Sequence, residues 1–206
     1  MSEILEILGR VGAIVTDSHF VLTSGKHSDT YINKDALYPH TRETSRVCRM
    51  MAERSAHLEI DAVVGPALGG IILSQWTAHH LCELKGKKVL ALYTEESQDQ
   101  QIFRRGYGEL VAGKKVLVVE DLITTGGSAR KVVYAVRSGG GQVAAVCVMV
   151  NRNSEAVSGD YFGAPYVALA EMKVEAYAAD ECPLCRSGVP VNVTLAHGRE
   201  YVRRLS

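Results

Sequence analysis

No apolar run in the 206 residues approaches the ~20 needed to cross a bilayer, so no membrane span is expected. An excess of either charge is also missing. Lys plus Arg number 23, Asp plus Glu number 23, and the formal net charge is zero. That balance argues against broad adhesion to nucleic acid or to an acidic membrane surface and leaves room only for a local basic patch. The opening Met1-Ser2-Glu3-Ile4 has neither a basic region nor a signal core, so secretion is not indicated and a cytoplasmic location is expected. Internal repeats, low-complexity tracts and domain linkers are absent. One domain over 1–206 is therefore expected. Hydrophobic residues at 47% suffice for a real core and make disorder a poor reading. Two nucleotide-binding strings are missing as well: G-x-x-x-x-G-K-[ST] and G-x-G-x-x-G.

What is present alternates. Ile4, Leu5, Leu8 and Val11 keep a helical period. Phe20–Thr23 and Asp29–Asn33 read as short strands around a Ser24–His27 turn, a hairpin over about 19–34 set apart from the rest as a small hood. A core over about 41–152 follows, and a tail runs to 206. Thr41–His57 reads as a helix with Thr41 as N-cap, then strand Asp61–Gly65, a tight loop Pro66–Gly70 and helix Ile71–Leu84. Lys88–Tyr93 is the next strand, and Thr94–Gly113 reads as a long polar loop. Strands at Val116–Val119, Val143–Val150 and Val167–Leu169 complete an α/β pattern, which implies a central parallel sheet flanked by helices.

The richest stretch is Val116 to Ala129. Four apolar residues, three of them valines, suit a strand buried on both faces. Glu120 and Asp121 end it. Thr124, Thr125, Gly126, Gly127 and Ser128 form a turn of hydroxyls and glycines before a helix over Ala129–Val136. Free N–H groups and the positive end of a helix there make an anion site. Carboxylates beside a phosphate pocket suit a sugar phosphate with vicinal hydroxyls.

This string resembles the phosphoribosyl-diphosphate (PRPP) signature of the type I phosphoribosyltransferases. The resemblance implies that fold, with a hood over the strand ends. It assigns Glu120 and Asp121 to the ribose hydroxyls, with Mg²⁺ held indirectly nearby. Thr124, Thr125, Gly126, Gly127 and Ser128 take the 5-phosphate. Gly65-Pro66-Ala67-Leu68-Gly69-Gly70 sits where the family's pyrophosphate loop belongs, so Ala67, Leu68 and Gly69 are assigned to PRPP. Some relatives carry a lysine in this loop. Here its place is empty of lysine, and Mg²⁺ or basic residues elsewhere must meet the charge.

Leu22-Thr23-Ser24-Gly25-Lys26-His27-Ser28-Asp29-Thr30-Tyr31-Ile32 is similar to the N-terminal segment of orotate phosphoribosyltransferases. Taken alone, it reads equally as an exposed hairpin with a solvated lysine. The resemblance assigns Lys26 to anionic substrate and Ser28, Tyr31 and Thr124 to the base pocket. It assigns Arg152, just after a strand, to the carboxylate of orotate, which a guanidinium fork suits. Relatives often have Asp before this arginine, where this chain has Asn151. The resemblance assigns Thr94–Val111, between the preceding strand and the signature, to the mobile catalytic loop. It lacks the lysine and histidine of well-known orotate enzymes and offers Arg104 and Arg105 as catalytic groups. Together with the Cys-Pro-Leu-Cys tail, this looks like the Thermus-type subgroup. The implied activity converts orotate and PRPP to orotidine 5-phosphate and pyrophosphate in pyrimidine synthesis, in a homodimer. A different base, such as a purine, and a PRPP-sensing regulator remain open.

The five cysteines complete the inventory. Cys48, Cys82 and Cys147 lie in apolar context and read as reduced thiols. Cys182-x-x-Cys185 with His197 after it suggests zinc, but no second Cys or His pair lies near in sequence, so unlinked thiols are expected. His79, His80 and Cys82 share a helix with no acid at helical spacing and read as packing or surface residues.

Overall fold

In the computed structural model of the protein, residues 2–205 are described. In chain order the elements are α1 (Glu3–Arg10), β1 (Ile14–Val15), β2 (Phe20–Val21), β3 (His27–Ser28), β4 (Tyr31–Ile32), α2 (Thr41–Ser55) and β5 (Ala62–Pro66). Then come α3 (Gly69–Lys85), β6 (Leu90–Ser97), β7 (Gln100–Ile102), α4 (Tyr107–Val111), β8 (Lys115–Ile123) and α5 (Gly127–Ser138). The chain ends with β9 (Gln142–Asn151), α6 (Gly159–Phe162), β10 (Tyr166–Glu171), α7 (Pro183–Arg186) and α8 (Gly198–Leu205). Two compact units result: Met1–Leu37 with Lys173–Ser206, and Tyr38–Met172.

The larger unit is built on a six-stranded sheet in the order β10-β9-β8-β5-β6-β7. All neighbours pair in parallel except β6 and β7, which are antiparallel. The expected parallel sheet is thus present with one antiparallel edge strand. β5 is buried along its whole length and most of β8 and β9 is buried too, as strands covered on both faces require. Val64, Val116, Val118, Val132, Val136, Val146 and Phe162 belong to one core cluster between the sheet and α5. Parallel order aims the carboxyl ends of β5, β6, β8 and β9 the same way, and loops at that edge form the usual ligand crevice of such sheets.

The segment after β6 is more structured than a polar loop. Gln98 and Asp99 both take positive φ and turn the chain back as β7. Thr94 Oγ1 donates to Gln101 Oε1 at 2.7 Å in a buried pair, which sets the register. Phe103 and Tyr107 then pack against the core, anchoring the far end. A polar edge strand carries no hydrophobic alternation, which is why the sequence pattern reads as a loop.

In the smaller unit the pairing also departs from expectation. β2 pairs antiparallel with β3, placing Val21 opposite His27, while β4 pairs with β1. The turn is therefore Leu22–Lys26, closed by Leu22 N–H donating to Lys26 O at 2.8 Å. Gly25 there has φ +78°. Thr41 is the first helical residue of α2, and His40 occupies the cap position.

Candidate active site

The site in the larger unit grows from β8. Its last residues run Glu120, Asp121, Leu122, Ile123, and successive side chains of a strand face opposite ways. Glu120, 6% exposed, lines a hollow of ≈170 Å³ together with Leu122 to Ala129. Asp121, 4% exposed, faces α3 instead: Tyr38 Oη donates to its Oδ2 at 2.7 Å. The Leu122 N–H donates to Asp121 Oδ1, also at 2.7 Å, fixing the carboxylate. Asp121 Oδ2 lies 2.5 Å from where a Cβ on Gly69 would stand, so a side chain at the start of α3 would push the carboxylate aside. The two acids thus serve two loops, one on each side of the strand.

The candidate anion cradle is the turn Thr124–Ser128. Gly126 takes φ +75° at the cap position of α5 and has no side chain to cap it, while Thr125 Oγ1 accepts the Gly127 N–H at a long 3.4 Å. An anion there would meet the leading N–H groups in competition with one long bond, with the helix dipole behind them. A Cβ on Gly126 would come within 2.7 Å of the Tyr161 ring, so the turn also lies close against α6. Thr124, Thr125 and Ser128 are exposed at its rim.

The Pro66–Gly70 loop follows β5, the strand next to β8. Ala67 N–H donates to Thr94 O at 2.8 Å, and the Ala67–Leu68 peptide bond is cis. The Leu68 side chain is 82% exposed. Beyond β9, Arg152 N–H donates to Ile123 O at 2.8 Å, which sets Arg152 beside the root of the Thr124–Ser128 turn. Asn153 Nδ2 reaches Thr124 O at 3.0 Å. Asn151 is buried; its Nδ2 donates to Val157 O at 3.2 Å and its Oδ1 accepts Asn153 N–H at 2.9 Å. An aspartate could not make the first of these bonds, so asparagine here serves the fold of the loop it begins.

Arg104 and Arg105 stand after β7, both half-exposed, and both pair with Glu95. The Arg105 guanidinium also lies 5.7 Å from the centre of the Tyr93 ring. In the smaller unit Lys26 is exposed in its turn. Ser28 is buried, its Oγ donating to Glu175 O at 2.7 Å, and the Tyr31 ring lies 5.5 Å from that of Phe20. The structure thus brings together Glu120, Thr124–Ser128 and the backbone of Arg152 around one turn, and Asp121 with Gly69. Tyr38 is a member that sequence reasoning missed. A lone tyrosine between two elements carries no motif.

The helix α3 corrects one reading. Glu83 does sit at helical spacing from both histidines, 3.6 Å from His79 and 3.2 Å from His80. His80 is committed to packing: its Nε2 lies 2.9 Å from Ser45 Oγ on α2. The His-Cys cluster of the smaller unit is of another kind and is taken up below.

Residues 33–163 match the model of the phosphoribosyl transferase domain. An orotate phosphoribosyltransferase from Caldanaerobacter subterraneus subsp. tengcongensis is 37% identical over 189 residues, 92% of this chain and 94% of that one. Two crystal structures of Mycobacterium tuberculosis orotate phosphoribosyltransferase superpose over 82% of this chain and 94% of theirs. The one in complex with Fe(III) dicitrate has a TM-score of 0.68 at 28% identity. The one in complex with PRPP has a TM-score of 0.63 at 26% identity. Among the described residues, no helix is long and apolar enough to cross a membrane.

Proposed function

We propose a reaction from one premise: the chain belongs to the phosphoribosyl transferase family and, within it, to the orotate phosphoribosyltransferases. The reaction is transfer of the phosphoribosyl group of PRPP to orotate, giving orotidine 5-phosphate and pyrophosphate, a step of UMP synthesis. One observation carries this reading: the first turn of α5, where a leading N–H is met by Thr125 Oγ1 only at 3.4 Å, and Glu120 line a single hollow. An anion cradle sharing walls with an acid suits a phosphate and a hydroxyl on one sugar.

In this reading the N–H groups and hydroxyls of Thr124–Ser128 receive the 5-phosphate. Glu120 and Asp121 accept hydrogen bonds from the ribose hydroxyls. The Ala67–Gly69 backbone receives the pyrophosphate. Buried carboxylates are hard oxygen donors of the kind Mg²⁺ takes, so Glu120 and Asp121 would hold it through water and ribose hydroxyls, where it supplies countercharge to the pyrophosphate. The bond from ribose C1 to pyrophosphate breaks as positive charge develops on the sugar, the base nitrogen bonds to C1 from the opposite face, and the proton that nitrogen gives up balances one charge of the released pyrophosphate. No protein nucleophile is needed. Catalysis is positioning together with stabilisation of charge on the leaving group.

Arg152 is assigned to the orotate carboxylate and Lys26 to anionic substrate. Arg104 and Arg105 are assigned to the departing pyrophosphate. Their pairing with Glu95 does not oppose this, because an exposed ion pair is worth only ~0–1 kcal/mol and is easily exchanged for a phosphate. Arg105→Ala is expected to lower turnover ~10–100-fold while PRPP affinity moves much less. Equal turnover in mutant and wild type removes the loop from the mechanism. The reading also places the enzyme in the cytoplasm as a homodimer, which light scattering at working concentration checks.

The deciding assay is pyrophosphate release from PRPP with orotate, run beside hypoxanthine, adenine and uracil. Orotate-dependent release is expected. Release with a purine instead would reassign the base, and no release with any base would leave a PRPP sensor.

A further inference from the structure

The Cys182-x-x-Cys185 pair has the second pair it lacked in sequence, and that pair comes from the β2–β3 hairpin. His19, immediately before β2, and His27, in β3, meet the two cysteines within the smaller unit. One donor atom from each of the four residues lies within 4.8 Å of every other. His19 Nε2 is 3.8 Å from Cys182 Sγ and 3.7 Å from Cys185 Sγ. His27 Nδ1 is 3.3 Å from Cys185 Sγ and 2.8 Å from His19 Nε2. Zn–S bonds of about 2.3 Å and Zn–N bonds of about 2.0–2.1 Å place tetrahedral donors about 3.3–3.8 Å apart. The three nitrogen–sulfur separations just given fall within that range. The two nitrogens need to part by only about 0.5 Å to meet that geometry.

The ligand atoms are also held from behind. His19 Nδ1 lies 2.8 Å from the Val189 carbonyl and must donate to it, which leaves Nε2 as the lone-pair nitrogen facing the cysteines. A carbonyl partner of this kind is the usual means of orienting a metal-bound imidazole. The backbone of His27 exchanges two hydrogen bonds with Tyr177, each 2.8 Å, and Asn192 N–H donates to His19 O at 2.8 Å. The His27 ring stands edge-on to the Tyr201 ring at 4.9 Å. His19, His27 and Cys182 are buried, and Cys185 sits at the exposed edge.

A second observation points the same way. From Lys173 to Arg204 only Cys182 and Gly198 are buried. The tail therefore has almost no apolar core of its own. The strands it joins are only two residues long. A small unit of this build needs a staple. Two thiolates and two neutral imidazoles cancel the charge of a divalent ion and fill four positions, the closed set of a structural site.

We propose that His19, His27, Cys182 and Cys185 bind one structural zinc ion that fastens the tail following Lys173 to the β2–β3 hairpin. Full-length protein made in zinc-supplemented medium and purified without chelator is expected to carry about one zinc per chain by plasma mass spectrometry. Wild-type protein stripped of metal and titrated with Co²⁺ is expected to show the intense visible bands of a tetrahedral site and sulfur-to-cobalt charge transfer. Cys182→Ser with Cys185→Ser is expected to lose both signals and to lower the melting temperature by at least ~5 °C. His197→Ala is expected to keep the zinc, since His197 Nε2 is engaged with Thr23 Oγ1 at 3.0 Å, outside the cluster. Zinc below about a tenth per chain with no cobalt spectrum overturns the proposal. So does full zinc retention in the double variant, or a Cys182–Cys185 disulfide found by mass spectrometry in the freshly purified protein.

Discussion

Asp121→Asn is expected to weaken PRPP binding on the order of 10–150-fold by calorimetry, the equivalent of losing a charge-assisted hydrogen bond of ~1.5–3 kcal/mol. The carboxylate is held between two donors, Tyr38 Oη at Oδ2 and the Leu122 N–H at Oδ1, both at 2.7 Å. An asparagine can satisfy one of these with its oxygen and must turn its amide toward the other. The remaining lone pairs, which in the proposed function accept ribose hydroxyls, lose both charge and direction. Tyr38→Phe separates orientation from charge. It removes one donor from Asp121 and keeps the carboxyl group itself, so its effect on PRPP affinity is expected to be smaller. Melting temperatures of both variants belong beside the titrations, because a loss of affinity that merely tracks unfolding would have another cause. Unchanged PRPP affinity in Asp121→Asn, with the protein folded, would remove Asp121 from the ribose.

The sequence made the centre of this site readable because its parts are local. Val116 to Val119 are buried on both faces, so the strand shows as an unbroken apolar run. The acids and the glycine turn follow within ten residues, so chemistry and fold share one string. The facing of Glu120 and Asp121 toward different loops also follows from the period of a strand, though reading the two acids as a pair above one pocket hides it. Other features depend on contacts that no window of sequence contains. His19 and Cys182 lie 163 positions apart, and their meeting depends on a hairpin register of only two residue pairs. Strands that short carry no alternation to read. Tyr38 reaches Asp121 across 83 positions for the same reason. β7 was hidden differently: Gln100 and Gln101 do not look like a strand, and pairing with β6 at the sheet edge, rather than apolar burial, makes them one.

Gly70→Ala is expected to cost ~1–3 kcal/mol of stability and to abolish most of the activity in addition. The end of β5 and the first turn of α3 approach so closely that a Cβ on Gly70 would stand 2.6 Å from the Gly65 carbonyl carbon and 2.8 Å from Pro66 Cδ. A Cβ on Gly65 would meet the Gly70 carbonyl oxygen at 2.6 Å. These are backbone and ring atoms, which cannot rotate aside, so α3 must move away from the strand. That movement displaces Ala67–Gly69, the loop proposed to receive pyrophosphate. Neighbouring variants separate packing from chemistry. A Cβ on Gly69 would meet Tyr38 Oη at 2.3 Å and Asp121 Oδ2 at 2.5 Å, both ends of side chains that can yield. Gly69→Ala is therefore expected to stay near wild-type stability and still lose activity, because the carboxylate yields with it. Leu68→Ala trims a side chain 82% exposed and is expected to change stability by less than ~0.5 kcal/mol. Urea midpoints for the three variants should fall in the order Leu68→Ala, Gly69→Ala, Gly70→Ala. Wild-type stability and kcat/KM in Gly70→Ala would mean that this close approach does not shape the loop.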